Sequence, residues 1–326
     1  MHGQRPDTSP ALVRTPCRRP VRGAWRRGRA VAVVASATAL VLLGHRGVPN
    51  RFGRLGSLVE TFLPWTGALV VVLLLCAALR RSAAAAAAAV LSAVVWATTF
   101  GGTLVDKRAD GGNITVVTHN VREDNPDPAG TARAVAAADA DVVALQELNG
   151  TATAAYRKAM DGHYAHRSVQ GTVGLWSRYP ITDSAPLDIA PWPRALRATV
   201  RTPHGPVAVY AVHLPSVRLS PAGFGTRARD SAALRLAAAL HDEPLPRVVV
   251  VGDLNGTVGD RGLSPVTSRL RSAQAESGAG FGFSWPAAHP VARIDEILLR
   301  GITPRAAWNL PATGSDHLPV MAALRL

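Results

Sequence analysis

Cysteine is nearly absent from this 326-residue chain: there are two, Cys17 and Cys76, and neither lies beyond residue 112. The C-terminal two-thirds therefore has no disulfide framework and no thiol nucleophile. A segment of that length can bury its own core without either. Aromatics are scarce at 5%, and Arg supplies nearly all the positive charge in place of Lys. Together with the overuse of Ala, this skew reads as the output of a GC-rich genome, so the Ala and Arg excess is not itself a functional signal. Also missing are the serine nucleophile elbow, the phosphate-cradling P-loop, CxxC pairs and the HExxH zinc motif. Their absence removes the commonest routes to acyl transfer, nucleotide-dependent phosphoryl transfer, thiol redox chemistry and zinc proteolysis.

The charge that is present is unevenly placed. The net charge is +14, but residues 1–112 carry 15 Lys and Arg against 4 Asp and Glu, and residues 113–326 carry 21 against 18. A basic chain would ordinarily suggest nucleic acid or an anionic membrane surface. Here the excess sits beside apolar runs, which favours membrane topology.

Residues 1–29 hold eight Arg and no Lys, with no apolar period, and read as a solvated disordered tail. Apolar segments follow at about Ala30–Gly44, Phe62–Leu79 and Ala83–Val105. A span needs ~20 apolar residues to cross ~30 Å of hydrocarbon. The second and third reach that length. The first is short, but Arg29 and Arg46 can snorkel outward. The third opens with an Ala tract that also suits a soluble helix. Arginine placement sets the expected orientation: tail and Arg80-Arg81 inside the cell, Arg46, Arg51 and Arg54 outside. Residues from about 107 onward then lie outside. The orientation inverts if the first segment does not cross.

From Asn113 the pattern changes to short β-branched runs alternating with helical stretches. Strands are expected at Ile114–Thr118, Val142–Leu145, Val173–Trp176, Leu196–Val200, Val207–Val212, Val248–Val251, Ile294–Leu299 and Pro319–Leu324. Helices are expected at Ala129–Ala138, Thr151–Met160 and, at greatest length, Pro221–Leu240. This is a layered α/β domain. The expected organisation is a tail over 1–29, a three-helix membrane anchor over 30–106 and a catalytic domain over 107–326.

Six polar groups stand at the ends of apolar strands, where α/β folds place reacting side chains. Thr118-His119-Asn120 closes the first strand; Asn120 can ligate a metal or orient a carboxylate, although an Asn ending a strand is also common in turns. Glu147 follows Asp141-Val-Val-Ala-Leu-Gln146 and suits a hard cation, or a helix N-terminus. His213 ends Val209-Tyr-Ala-Val; it can hold a phosphoryl oxygen or be structural. Asp253 and Asn255 follow four valines and Gly252. Being two apart, they can share a face and combine water activation with phosphate contact, or form a plain turn. Asp295, in an apolar strand, needs a partner, either a His or an Arg such as Arg293. Ser315-Asp316-His317 offers a ligand beside a base. An oxygen-rich set with two imidazoles fits metal-assisted phosphoester hydrolysis better than acyl transfer.

Read together, Thr118-His-Asn120, Leu145-Gln-Glu147, Gly174-Leu-Trp-Ser-Arg-Tyr-Pro180, Val212-His213, Gly252-Asp-Leu-Asn255, Arg293-Ile-Asp295 and Ser315-Asp-His317 resemble the endonuclease/exonuclease/phosphatase superfamily, in the family's order. The resemblance covers about Ile114–Leu326. It implies a four-layer α/β/β/α sandwich of DNase I type behind the three transmembrane helices. It further implies Glu147 as principal Mg²⁺ ligand (Mn²⁺ as a substitute), with Asn120 and Asp316 near the metal. His213 and Asn255 would hold the scissile phosphate, Asp253 would orient or deprotonate water, and Asp295 would hold His317 as base or charge stabiliser. Leu254 stands where the family usually has Phe, a change of packing. The Lys- and Arg-dense loops of DNA-cleaving members are missing, so nucleic acid is not the expected partner, and no protein partner is implied. Three spans ahead of such a domain are similar to actinobacterial membrane proteins of the VanJ type, which are linked to teicoplanin-class resistance and place the catalytic domain outside the cell.

The expected function is therefore hydrolysis of a phosphorylated small molecule or lipid, lipid-linked or in the cell envelope, by an enzyme held among membrane lipids. A tethered extracellular nuclease and a non-catalytic envelope-binding protein are the alternatives. Loops at Pro215–Arg229 and Ser277–Gly282 are expected near the substrate, as loops on a rigid scaffold usually are.

Overall fold

The computed structural model describes residues 28–326; the basic tail expected over 1–29 lies, through residue 27, outside the described residues, as does Cys17. The described residues begin with four α-helices, α1 (Arg29–Gly44), α2 (Leu55–Phe62), α3 (Thr66–Arg80) and α4 (Ala83–Leu104). With their flanking turns they make three apolar stretches, of 19, 26 and 22 residues, each long and apolar enough to cross a membrane. Small side chains set their contact: Ala35, Leu73 and Ala89 pack together, and the Ser92 hydroxyl donates to the Ala35 carbonyl at 2.7 Å. Small residues let helix backbones approach where no hydrophobic force separates helix from lipid. Val33, Leu40, Leu43, Val71, Leu75 and Leu79 point outward and are exposed, as a lipid-facing surface requires.

The second apolar stretch departs from the expected start at Phe62. It is broken at Leu63-Pro64-Trp65, a 3₁₀ turn, because proline cannot supply the amide that an unbroken helix needs there. The residues before the break, expected as a loop, form the separate helix α2.

Beyond Leu104 the chain folds into two six-stranded sheets. The strands are β1 (Ile114–Asn120), β2 (Val142–Gln146), β3 (His166–Gln170), β4 (Val173–Ser177), β5 (Ile181–Pro186), β6 (Ala195–Thr202) and β7 (Gly205–His213). After a short hairpin, β8 (Leu219–Ser220) and β9 (Gly223–Phe224), come β10 (Val248–Asp253), β11 (Arg271–Ser272), β12 (Asp295–Arg300), β13 (Thr303–Asn309) and β14 (Val320–Arg325). The first sheet has the order β13-β14-β1-β2-β4-β3 and the second β11-β12-β10-β7-β6-β5. Alternation along the strands assigns the layers. Val116, Ala144, Leu196, Val249, Val251, Ile297 and Val320 meet between the sheets. On the outer face of the first sheet, Val117, Val143 and Leu145 pack under α5 (Pro128–Ala137) and α6 (Ala152–Met160). On the outer face of the second, Val248, Val250 and Leu298 pack under Leu236 and Leu240 of α7 (Arg227–His241). The four valines of β10 are buried on both faces, which is why that run is unbroken. The result is the four-layer α/β/β/α sandwich.

One expected element is shorter than its sequence implies. The helix expected over Pro221–Leu240 starts only at Arg227, and Pro221–Phe224 belongs to the hairpin. Gly223 decides this locally. Its φ is +104°, and a Cβ there would lie 2.3 Å from the Cα of Gly53, so the hairpin is pressed against the segment leading into α2, with the Phe224 amide donating to the Gly53 carbonyl at 2.8 Å.

That contact is one of several that fasten α2 to the sandwich. Glu60, whose side chain is 2% exposed, pairs with Arg261 at 2.7 Å. Arg261 also donates to the carbonyls of Val48 (2.8 Å) and His45 (2.7 Å). The Ser57 hydroxyl donates to Asp260 at 2.9 Å, and the Trp65 indole donates to the Val291 carbonyl at 2.8 Å. Arg261→Ala leaves the buried Glu60 carboxylate with only His45 nearby, at 3.5 Å, which costs about 3 kcal/mol, the low end for breaking a buried pair. Native-state hydrogen exchange of the amides of Leu55–Phe62 is expected to lose that much protection while β10 keeps its own. Equal protection in both proteins would show that the pair does not fasten the helix.

Candidate active site

Strand register brings the polar residues to one edge of the sandwich. In the second sheet Asp253 stands opposite His213 on one side and opposite Asp295 on the other. In the first, Asn120 stands opposite Gln146, and Glu147 follows with φ +61°. A non-glycine residue in that region is uncommon and marks a side chain held by its surroundings. Asn255, at φ +48°, is a second. Gly252 permits the close packing behind them: at φ +142° a Cβ would lie 1.8 Å from the Val212 carbonyl oxygen.

Asn120 links the two sheets. Its amide donates to Glu147 Oε1 and to Asp253 Oδ2, each at 3.0 Å, and its Oδ1 accepts from the Arg122 amide. Asp253 is held further by the Asn255 backbone amide (2.8 Å) and side-chain amide (3.1 Å). His213 Nε2 lies 3.6 Å from Glu147 and 3.7 Å from Asp253. His317 Nδ1 pairs with Asp295 Oδ2 at 2.8 Å, while its Nε2 is 4.0 Å from Asp253. The Ser284 hydroxyl donates to the same oxygen of Asp295 at 2.6 Å. Ser315 locks the last loop onto the first strand by donating to the Asn120 carbonyl at 2.6 Å. Asp316 accepts weakly from the Trp285 indole at 3.4 Å. All eight residues singled out in the sequence thus gather at one place. Glu147, Asp253, Asn255, Asp316 and His317 face a cleft of about 440 Å³, with Asn120, His213 and Asp295 buried behind it.

The electrostatics follow from burial and proximity. Burial pushes the Asp253 carboxyl up to about 7, the Asp295 charge adding to this and His317 opposing it. Burial works against charge on His317 too, but the Asp295 carboxylate and its hydrogen bond override it and hold that imidazole up to about 10. His213 is held well below its ordinary value by burial, with the Arg194 charge adding, and it therefore stands as a neutral ring.

Two arrangements of donors suit a hard cation. Single atoms of Asp253, Asp295 and His317 lie within 4.8 Å of one another, but Asp295 is already engaged by His317 and Ser284. Glu147 is more open, with a side chain 28% exposed, and shares the cleft with Asp316. Carboxylates crowded around one cleft are the donor chemistry that a magnesium-sized ion takes.

Two features have no counterpart in the sequence reading. Arg194 is buried, and its guanidinium lies 2.8 Å from His213, with Nε lacking a partner. It is one Arg among many in an Arg-rich chain and carries no local motif. The other is the cleft's far wall, made partly by α2. Of the two loops expected near substrate, Ser216–Leu219 and Phe224 do line the cleft. Ser277–Gly282 does not: Phe281 packs instead against Trp96 and Phe100 of α4, and against Phe283, which stacks on Trp65.

The sequence model of the Endonuclease/Exonuclease/phosphatase family matches residues 117–317, the stretch that carries all eight polar residues of the site. The chain belongs to this family. Solved structures agree on the fold. An endonuclease/exonuclease/phosphatase from Bacteroides vulgatus is 19% identical, with a TM-score of 0.56 over 65% of this chain and 98% of that one. TDP2 from D. rerio, complexed with a single-strand DNA product, is 19% identical, with a TM-score of 0.55 over 65% and 99%. A mutant beta toxin from Staphylococcus aureus with bound magnesium ions is 15% identical, with a TM-score of 0.52 over 64% and 99%. At such identities the likeness establishes the fold alone. A comparison with curated proteins yields no match.

The Asp295–His317 pair supplies a direct test. Asp295→Asn removes the negative partner that favours the imidazolium, so the His317 pKa is expected to fall from about 10 towards the ordinary range. The stabilisation that the pair gives is complete below the ordinary imidazole pKa and vanishes as pH rises through about 10. NMR titration of the His317 ring reads the shift. A ring titrating identically in both proteins would show that Asp295 does not govern it.

Proposed function

We propose that this protein is a membrane-anchored, Mg²⁺-dependent phosphoesterase acting on a lipid-linked or cell-envelope phosphate. One observation carries the reading: carboxylates and imidazoles from five separate sequence segments gather at one cleft, in a chain with three apolar stretches that suit a bilayer. Glu147, with Asn120 and Asp316, would hold the ion, and Mn²⁺ could replace it. When bound, the ion supplies neutralisation of the phosphoryl oxygens and a lower pKa for bound water.

The other residues divide the remaining work. Neutral His213, beside the Arg194 guanidinium, and the Asn255 amide hold the phosphoryl oxygens where negative charge develops. Asp253 orients the attacking water and takes its proton, since three N–H groups fix its carboxylate in place. His317, held through Nδ1 by Asp295, presents Nε2 towards the cleft as a donor that stabilises the phosphate.

Arginine placement supports a catalytic domain outside the cell. The order of three spans and then the sandwich is also what supports the VanJ-type likeness. The nuclease reading draws on the DNA complex of TDP2, and the near-balance of charge over residues 113–326 weighs against it.

The test is phosphate release by the full-length protein in detergent across a panel of lipid phosphates, soluble phosphoesters and single-stranded DNA. Activity should require Mg²⁺ and disappear with chelator. Glu147→Ala and Asp253→Ala should each lower kcat by about a thousandfold or more, the loss seen when one stabilising element of a charged transition state is removed. Glu147→Ala should also raise the Mg²⁺ concentration needed for half-maximal rate. Undiminished activity in either variant would refute the assignment. DNA cleavage with a steep fall in rising salt, without lipid phosphate hydrolysis, would favour the nuclease.

A further inference from the structure

The active-site cleft has two chemically different walls. Glu147, Asp253, Asn255, Asp316 and His317 form one. Facing them are Leu58, Thr61 and Phe62 of α2, with Val217, Leu219 and Phe224 of the segment after β7. This second wall is mostly apolar, and Phe62 and Leu219 leave 40% and 73% of their surfaces exposed. Exposed large apolar side chains beside buried charge mark a surface that a ligand covers.

Its position says which ligand. Phe62 is followed by the Leu63-Pro64-Trp65 turn and then by α3, so the wall belongs to the second membrane-length apolar stretch, Leu55–Arg80, and stands one helical turn, about 5 Å, from the start of its longer helix. A water-soluble phosphoester gains nothing from an apolar wall there, whereas an aliphatic chain arriving from the bilayer does. Arg218 lies in the same wall and brings a cation to the anionic end of such a molecule.

The wall is also rigid. Besides the Glu60–Arg261 pair, a buried polar chain runs from α2 to the catalytic loop. Ser57 donates to Asp260, Asp260 pairs with Arg229 at 2.7 Å with both side chains fully buried, and Arg229 donates to the Asn255 carbonyl at 3.2 Å. The helix is thus fixed relative to the residues proposed to hold the phosphate.

We infer that α2 is a substrate-binding element: Leu58, Thr61 and Phe62 receive the aliphatic chain of a lipid whose phosphate lies against Asp253 and His317, so the membrane anchor completes the active site and selects long-chain phosphoesters. This rests on the phosphoesterase reading above and names its substrate class.

The test uses the full-length protein in mixed micelles, with butyl and hexadecyl phosphate and the matching p-nitrophenyl alkyl diesters. The wild-type protein should favour the hexadecyl member. Leu58→Asp and Phe62→Asp should each cut the hexadecyl-to-butyl ratio of kcat/KM by about tenfold, chiefly through KM, the effect of losing one buried apolar side chain from a binding site. Leu234→Asp, at an exposed leucine on α7 (60% exposed), should leave the ratio unchanged. Phe62→Ala, with the melting temperature as a check of folding, guards against a variant that merely unfolds. A hexadecyl preference that survives all three α2 substitutions in folded protein overturns the wall while leaving the phosphoesterase reading intact. Hydrolysis of DNA but of no alkyl phosphate of either length overturns both.

Discussion

The site depends on one amide. Asn120 ends a strand of the first sheet, Asp253 a strand of the second, and Glu147 the neighbour of Asn120; the Asn120 side chain donates to both carboxylates. Two carboxylates brought close to one another repel. A shared amide donor offsets part of that cost and fixes their spacing. Because the two carboxylates belong to different sheets, the same contact fixes the sheets' relative position at their reactive edge. Ser315 adds to it from the opposite side by donating to the Asn120 carbonyl. Altering the spacing of the sheets would therefore alter the site directly, and that spacing is set by the aliphatic side chains between them, Val116, Leu196, Val251 and Ile297 among them.

Much of this arrangement is legible in the chain itself. The unbroken Val248–Val251 run reads as a strand, which the structure buries on both faces, and Gly252 with the Asp-Leu-Asn that follows marks where it ends. The strand-end acids could be recognised because a reacting carboxylate must sit where the apolar run stops. What stayed hidden were contacts without local periodicity. The helix expected from Pro221 fails because Gly223 and Gly53 meet, and nothing near residue 223 announces residue 53. Arg194 gives no signal of its own; its meaning comes from His213, nineteen residues on, through strand pairing. Ser277–Gly282 looks like a flexible loop by composition, yet its Phe281 completes an aromatic cluster with Trp96 and Phe100, and that cluster draws it towards the apolar helices.

The most consequential hidden element is α2. Its eight residues precede a strongly apolar stretch, and in sequence they read as the approach to a span. Glu60 is the one discordant note, an acid at the edge of an apolar run. A carboxylate there must be paired, solvated or neutral, and its partner, Arg261, is two hundred residues away. Sequence exposes the need for a partner but not which arginine meets it. Buried ion pairs of this kind add little net stability, since desolvation offsets most of the attraction, but they strongly penalise any arrangement in which one partner is left alone. Their effect is to choose one docking geometry among several of similar apolar area.

That selectivity bears on why an anchor and a hydrolase share one chain. A flexible tether would raise the local concentration of substrate near the enzyme and would tolerate any orientation of the catalytic cleft. The observed linkage is the opposite kind. Glu60–Arg261, Ser57–Asp260–Arg229 and Trp65–Val291 are three separate polar connections within a dozen residues of the first α3 turn. Each is directional, and each would be lost if the sandwich rotated relative to the helices. Orientation matters only if the cleft must face a particular way, and the direction fixed here turns the apolar wall towards the start of α3. Under the proposed lipid-phosphate reading, the apolar helices would contribute geometry as well as proximity, placing the reactive edge of the two sheets where an amphiphile's phosphate and chain divide between water and lipid.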